Sequence, residues 1–259
     1  MSLNEDYSIL ELKEIEKIKS LKEGQFSIPN LDFTKLPEIS DGEGTVKRMA
    51  TNMTNYGYKE LINEVKERTH NRLNPNTIFS ILREEHEQFK LNPNSNHSEK
   101  IFHLIQLWGG NEARTFYFKG TQLNKKLYFD SIEIFIKSEN ISEIITQLKL
   151  LISGTKYFNI SFATKHINLW QELNSDSKLR LPIYDNIMAI NVLGRYSINK
   201  KNGKVNGFTQ NDYKSLEQFW RNIVALSIKL NVPTTSIERN LFNFFRNLNR
   251  EVWPRVQLK

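Results

Sequence analysis

The chain has 259 residues, 39% of them hydrophobic, which is enough to bury a core as one domain or as two small lobes. It contains no cysteine, which excludes disulfides, zinc–thiolate sites and four-cysteine iron–sulfur clusters. The formal net charge of +7 favours encounters with polyanions but specifies no binding site. No run of 18 apolar residues predicts a membrane span, and the charged N-terminus is unlike a targeting peptide, so we expect a cytoplasmic protein without a membrane partner.

Residues 1–95 are predicted to form a helical lobe to which the sequence assigns no role. Apolar residues recur at helical spacing in 7–23, more weakly in 46–68, and again in 78–89. The polar stretch 90–98, KLNPNSNHS, is the clearest linker in the chain. The sequence therefore predicts a boundary between two lobes near residue 95.

Residues 96–259 are predicted to form a second lobe that is also mainly helical. The segment 127–137 is ambiguous, because three isoleucines alternate as in a strand while Asp130 and Ser131 could cap a helix; its context favours a helix. The intervening stretch 111–119, NEARTFYFK, is aromatic and basic. Apolar spacing predicts further helices at 98–108, where Ser98 is the expected cap, and at 141–152, 213–230 and 238–253. We therefore expect an all-α, two-lobed protein.

The stretch from Ser161 to Gly194 carries the candidate chemistry. It is predicted to contain a tight turn, a helix that begins at Lys165, a polar loop, Pro182 and a second helix headed by Asp185. An aspartate at a helix N-terminus caps the helix and stays ionised. A lysine at such a position is disfavoured as a cation, so its neutral, nucleophilic amine becomes easier to reach.

This pattern resembles the helix-hairpin-helix DNA glycosylases, and most of all the 8-oxoguanine glycosylase (OGG-type) branch. In that family a Gly-x-Gly-x-Lys hairpin is followed by a Val-Pro-x-Asp segment. Here the hairpin corresponds to Ser161–Lys165, with serine and alanine in place of the two glycines. The second segment corresponds to Leu181–Asp185, with one extra residue before the aspartate. The resemblance covers roughly residues 98–259.

The resemblance implies a monomeric enzyme that flips a modified base out of double-stranded DNA and excises it, with an associated AP-lyase activity. Lys165 would be the nucleophile that forms a Schiff base, and Asp185 its electrostatic and proton-transfer partner. The base would be oxidised guanine or another modified base, including one of foreign DNA. No cofactor is implied, and the histidines of the chain form no close ligand set for a metal.

Other residues are weaker candidates for contacts with the substrate. Glu238 and Phe242 are four residues apart on one helix face and could line a base pocket, together with Trp108, although packing into the core is the competing interpretation of all three. His166 follows Lys165 but points about 100° away from it on a helix, which favours a structural or DNA-contacting role. The candidate DNA contacts are Ser161, Ala163, Thr164, His166 and Arg195.

Two other classes of function stay open. The chain could be a non-catalytic helix-hairpin-helix module, in which Lys165 is only a phosphate contact whose loss weakens DNA binding in a salt-dependent way. It could also be a basic helical scaffold for protein partners, which would have no affinity for DNA.

Overall fold

A computed structural model describes residues 42–110, 113–177, 179–193, 197–198, 205–206 and 212–252. The described chain is almost entirely α-helical, which confirms the predicted all-α fold class. None of the described helices is long and apolar enough to span a bilayer. The helix predicted at 7–23 and the candidate DNA contact Arg195 lie outside the described residues.

The chain divides into two compact units, one of Glu38–Leu181 and the other of Met1–Pro37 with Pro182–Lys259. The boundary predicted near residue 95 falls inside the first of these units, where two long helices separated by the short Asn92–Asn94 connection pack closely against each other. The helices of the Glu38–Leu181 unit are α1 (Glu43–Asn55), α2 (Lys59–Arg68), α3 (Pro75–Leu91), α4 (Ser95–Gly109), α5 (Arg114–Phe118), α6 (Lys125–Lys137), α7 (Ile141–Gly154) and α8 (Ile160–Leu173).

Asparagine side chains begin most of these helices. Asn74 forms a reciprocal capping box with Thr77 at the start of α3. Asn94 caps α4, so that helix begins at Ser95 and the predicted cap at Ser98 is wrong; Ser98 is buried one turn into the helix. An asparagine is an effective cap because its carbonyl oxygen accepts bonds from backbone N–H groups that have no helical partner.

The core of the Glu38–Leu181 unit is built around α4, which packs against α1, α3, α6 and α8. Phe102, at the middle of α4, has no exposed surface and contacts the rings of Tyr128 and His166. The seven residues from Ile101 to Leu107 are all buried, and burial on every side is typical of a helix at the centre of a domain. This burial holds the end of α4, at Trp108 and Gly109, in a defined position.

The ambiguous segment 127–137 is a helix, as its context favoured. In α6 the buried residues Tyr128, Ser131, Ile132 and Phe135 recur at helical spacing, and Asn124 caps the helix by accepting from the Leu127 N–H. The weakly periodic stretch 46–68 is two helices, because Gly57 between α1 and α2 has a φ of +98°.

The second unit contains three described helices that pack pairwise: α9 (Asn186–Leu193), α10 (Tyr213–Leu230) and α11 (Thr234–Val252). Pro182 accepts a hydrogen bond from the Trp220 indole at 2.8 Å, which joins the start of this unit to α10. Between α9 and α10 lie two short antiparallel strands, β1 (Ser197–Ile198) and β2 (Val205–Asn206).

Candidate functional site

The helix that carries Lys165 begins earlier than its sequence predicts. Asn159 is the N-cap of α8, and its side-chain oxygen accepts from the Phe162 N–H at 3.1 Å. The predicted tight turn at Ser161–Thr164 is therefore wrong, since these residues form the first turn of the helix. The turn lies before it, where Tyr157 has a φ of +55°. Lys165 lies in the second turn, so the argument from a helix N-terminus does not apply to its amine.

Helix α8 is buried along most of its length. Ser161, Ala163 and Thr164 are all buried, and the hydroxyl of Ser161 has no hydrogen-bond partner among the described residues. Little of these side chains is therefore accessible, and their roles as DNA contacts stay predictions. Lys165 differs from this group, because it is half-buried and reaches the surface within a helix that is otherwise buried from Ile160 to Gln171.

The Lys165 amine lies at the C-terminal end of α4. Its Nζ donates a hydrogen bond of 3.2 Å to the carbonyl oxygen of Gly109, the last residue of that helix. The same atom is 4.7 Å from the centre of the Phe162 ring. Both contacts favour a cation, since a helix C-terminus carries partial negative charge and an aromatic ring presents a negative face. In the described part of the chain no carboxylate forms an ion pair with Lys165.

Gly109 makes this contact possible. A Cβ at that position would lie 3.1 Å from the Phe162 ring and 3.3 Å from Cδ of Lys165, which is tighter than ordinary van der Waals contact. The neighbouring Trp108 is half-buried, and its indole N–H has no hydrogen-bond partner among the described residues.

His166 points into the core and is completely buried. Its Nδ1 is 2.7 Å from the hydroxyl of Tyr128, which also accepts the Trp170 indole N–H at 2.8 Å. Nε2 of the same ring is buried and has no hydrogen-bond partner among the described residues. Burial lowers the pKa of His166 well below its ordinary value. The His166 side chain therefore lies in the core, and its role as a DNA contact stays a prediction.

Asp185 is placed as its sequence predicts. It is the residue before α9, and its Oδ1 accepts from the Met188 N–H at 3.0 Å while its carbonyl accepts from the Ala189 N–H. This is the geometry of an N-cap, which leaves the carboxylate half-buried at a helix N-terminus. The predicted helix start at Asp185 is confirmed.

The segment that leads to Asp185 is firmly held. Two side chains of α8 form hydrogen bonds with the backbone of Leu181. The Asn168 amide donates to the Leu181 carbonyl at 2.9 Å, and the Leu181 N–H donates to the side-chain oxygen of Gln171 at 2.7 Å. Lys165 belongs to the Glu38–Leu181 unit and Asp185 to the other. The pairing of Lys165 with Asp185 stays a prediction.

The two candidates for base recognition on α11 are not equally accessible. Glu238 is buried, whereas Phe242 is half-buried. Their roles as base contacts also stay predictions.

Among the described residues, no three histidine, aspartate or glutamate side chains are grouped as a metal site.

Sequence reasoning missed one surface feature of the Glu38–Leu181 unit. A cavity lies where α5 and α7 end, and Lys119, Lys156 and Tyr157 contribute to its lining. The only signal for it was the aromatic and basic stretch at 111–119, to which the sequence assigned no role.

Comparison with protein-family models, with curated proteins and with solved structures finds no match to this chain. The resemblance to helix-hairpin-helix glycosylases therefore depends on the two segments Ser161–Lys165 and Leu181–Asp185 alone.

Proposed function

We propose that the protein is a DNA glycosylase with an associated AP-lyase activity, and that Lys165 is its nucleophile. The observation that carries the proposal is the position of this side chain. Its amine lies at the end of α4, it has no carboxylate partner among the described residues, and it is the half-buried member of the stretch Ile160–Gln171, whose other residues are buried.

The proposed reaction begins when the flipped nucleotide presents its C1′ to the Lys165 amine. The amine forms a bond to C1′ while the N-glycosidic bond breaks, and the leaving base takes the electron pair and a proton. Ring opening gives a Schiff base, which permits β-elimination of the 3′ phosphate from the sugar. The resemblance assigns Asp185 the electrostatic and proton-transfer role in this step, in which its carboxylate would stabilise the positive charge at C1′.

The charge of the chain supports a DNA substrate. A net charge of +7 attracts a polyanion and speeds the encounter without selecting a sequence. The substrate proposed is double-stranded DNA that contains a modified base, with oxidised guanine as the first to be tried.

The proposal is tested by strand cleavage on two labelled duplexes, one with a single 8-oxoguanine and one with a single abasic site. Lys165→Gln should abolish cleavage of both, and its amide can still donate to the Gly109 carbonyl. Asp185→Asn removes the charge but keeps an effective N-cap, so the rate should fall by about 10²- to 10³-fold while the fold persists.

Lys137→Gln is the matched control, since it removes the charge of an exposed lysine on α6. It should cleave as the wild type does. Full activity of Lys165→Gln would contradict the proposed chemistry. Cleavage of the abasic duplex alone would retain the lyase step and direct the search to other bases.

A non-catalytic DNA-binding protein is the second candidate, and one observation favours it. The hydrogen bond from Lys165 to Gly109 at 3.2 Å already gives the amine a structural role. In that case neither duplex is cleaved, and binding of intact duplex falls with rising salt for the wild type.

A further inference from the structure

A cavity of about 470 Å³ opens on the surface of the Glu38–Leu181 unit, where α5 and α7 end. Its volume lies in the range of roughly 300–1,000 Å³ that small-molecule sites occupy. Lys119, Thr121, Lys156 and Tyr157 line the cavity, and none of the residues that line it is acidic. The cavity therefore presents positive charge, hydroxyl groups and one aromatic ring.

Neither Lys119 nor Lys156 has a carboxylate partner among the described residues. Some other exposed lysines of the unit are paired: Lys125 is 2.6 Å from Glu99, and Lys137 is 2.7 Å from Glu133. Two cations that line one cavity repel each other, and a bound anion removes that repulsion. The phosphate of a nucleotide is an anion of suitable size for two lysines and a threonine hydroxyl.

Tyr157 supplies a flat apolar surface beside these cations. Its side chain is 54% exposed, and its φ of +55° is a backbone conformation that bulky residues rarely adopt. Strained residues of this kind are concentrated at ligand-binding positions. Phe118, which precedes Lys119, is 59% exposed and has the Lys119 ammonium 5.2 Å from its ring centre.

We propose that this cavity binds one nucleotide of a single-stranded nucleic acid, with Lys119 and Lys156 on the phosphate and Tyr157 stacked on the base. Proteins bind single strands without sequence preference by combining two kinds of contact. Lysines follow the phosphate backbone of the nucleic acid, and exposed aromatic rings stack on its bases. The site does not depend on the proposed chemistry of Lys165, and it stands whether or not the protein excises a base.

The test is the affinity for a labelled single-stranded 12-nucleotide DNA, measured by fluorescence anisotropy across a series of KCl concentrations. Lys119→Gln/Lys156→Gln should weaken binding and reduce the slope of log K against log[salt] by about 1.4, the value for two lost phosphate contacts on a single strand. Tyr157→Leu should weaken binding by about 5- to 100-fold with an unchanged slope, because it removes stacking but no charge.

Lys90→Gln/Lys137→Gln is the matched control, since it removes the same total charge from exposed lysines elsewhere in the unit. It should bind and respond to salt nearly as the wild type does. Equal effects of the two double variants would overturn the proposal, because binding would then follow net charge alone.

Deoxyadenosine monophosphate is titrated in parallel, because the cavity could bind a free nucleotide as well as a nucleotide within a strand. If the Lys119/Lys156 variant binds either ligand more weakly than the wild type does, the proposed site is supported. If the wild type binds neither ligand, the proposal is overturned.

Lysines near helix C-termini also stabilise helices, so the thermal midpoint of each variant is measured too. A fall in the midpoint without a change in affinity or salt slope would assign these lysines to structure and contradict the proposal.

Discussion

Lys165 and His166 are neighbours in the chain but occupy opposite environments. One is a half-buried amine near solvent, and the other is a fully buried imidazole hydrogen-bonded to Tyr128. Successive residues on a helix point about 100° apart, so one turn of α8 serves both the core and the surface. The buried polar group fixes the rotation of the helix about its axis, and that rotation brings Lys165 to the end of α4.

The Tyr128 hydroxyl should be important for stability because it joins two buried polar groups. Tyr128→Phe leaves both the Trp170 indole N–H and Nδ1 of His166 without their partner. We expect the free energy of unfolding to fall by about 1–3 kcal/mol, the cost of unpaired buried groups. Urea denaturation measures this change. Tyr157→Phe, at an exposed ring, is the control and should stay within about 0.5 kcal/mol of the wild type.

Stability should also depend on pH through the buried histidines. Burial lowers the pKa of His103 to about 3 and that of His166 well below its ordinary value of 6.5. The unfolded chain therefore binds more protons below pH 6.5, so stability that is present above that pH is lost as the pH falls towards the folded-state pKa. For two such groups the loss between pH 7.5 and 5.5 is about 2–3 kcal/mol.

Urea denaturation at these two pH values measures the effect. His70→Asn is the control, because His70 is exposed and asparagine accepts its positive φ of 48°. The variant should show the same pH dependence as the wild type. Equal stability of the wild type at both pH values would contradict the neutral, buried state of His103 and His166.

At the scale of the element, caps determine where the helices begin. Asn140 and Asn159 each accept a backbone N–H at the start of α7 and α8, and Asp185 does so for α9. The start of α8 determines whether Ser161–Thr164 form a hairpin turn or helix. The cap therefore bears directly on the resemblance to the glycosylase family.

Replacement of the α8 cap tests where this helix begins. Asn159→Ala should lower the free energy of unfolding by about 1 kcal/mol, since the Phe162 N–H loses its acceptor. Asn159→Ser should retain most of the stability, because serine is also an effective cap. An unchanged stability of Asn159→Ala in urea denaturation would contradict a helix that begins at Ile160.

The sequence was sufficient to predict most helices but not all of their starts. Apolar spacing located α10 to the residue, and it favoured the helix at α6 despite three alternating isoleucines. The errors at Ser98 and Lys165 have one physical cause. An asparagine upstream was the better cap in each case, and it extended the helix towards the N-terminus by several residues.

At the scale of the whole molecule, the candidate site was only partly predictable. Asp185 could be predicted because capping is local and visible in the sequence. The contact between Lys165 and Gly109 joins residues far apart in the chain, so no local pattern could reveal it. The cavity beside Lys119 and Lys156 likewise depends on two loops that only the tertiary fold brings together.

The division of the chain predicts how its parts unfold. A fragment of residues 38–181 contains the core around Phe102 and retains the hydrogen bonds of Leu181 to α8. We expect it to unfold cooperatively in urea and to keep a near-ultraviolet circular dichroism signal. Phe102→Ala in the same fragment should abolish both, since the loss of a buried phenylalanine costs about 3–5 kcal/mol. A fragment without cooperative unfolding would contradict an independent core.

The most direct test of Lys165 as a nucleophile is borohydride trapping on the abasic-site and 8-oxoguanine duplexes, followed by mass spectrometry of the cross-linked peptide. Reduction converts a Schiff base to a stable amine, so we expect a covalent adduct on the peptide that contains Lys165 and no adduct with Lys165→Gln. An adduct on another lysine, or none with either duplex under conditions where DNA is bound, would contradict it.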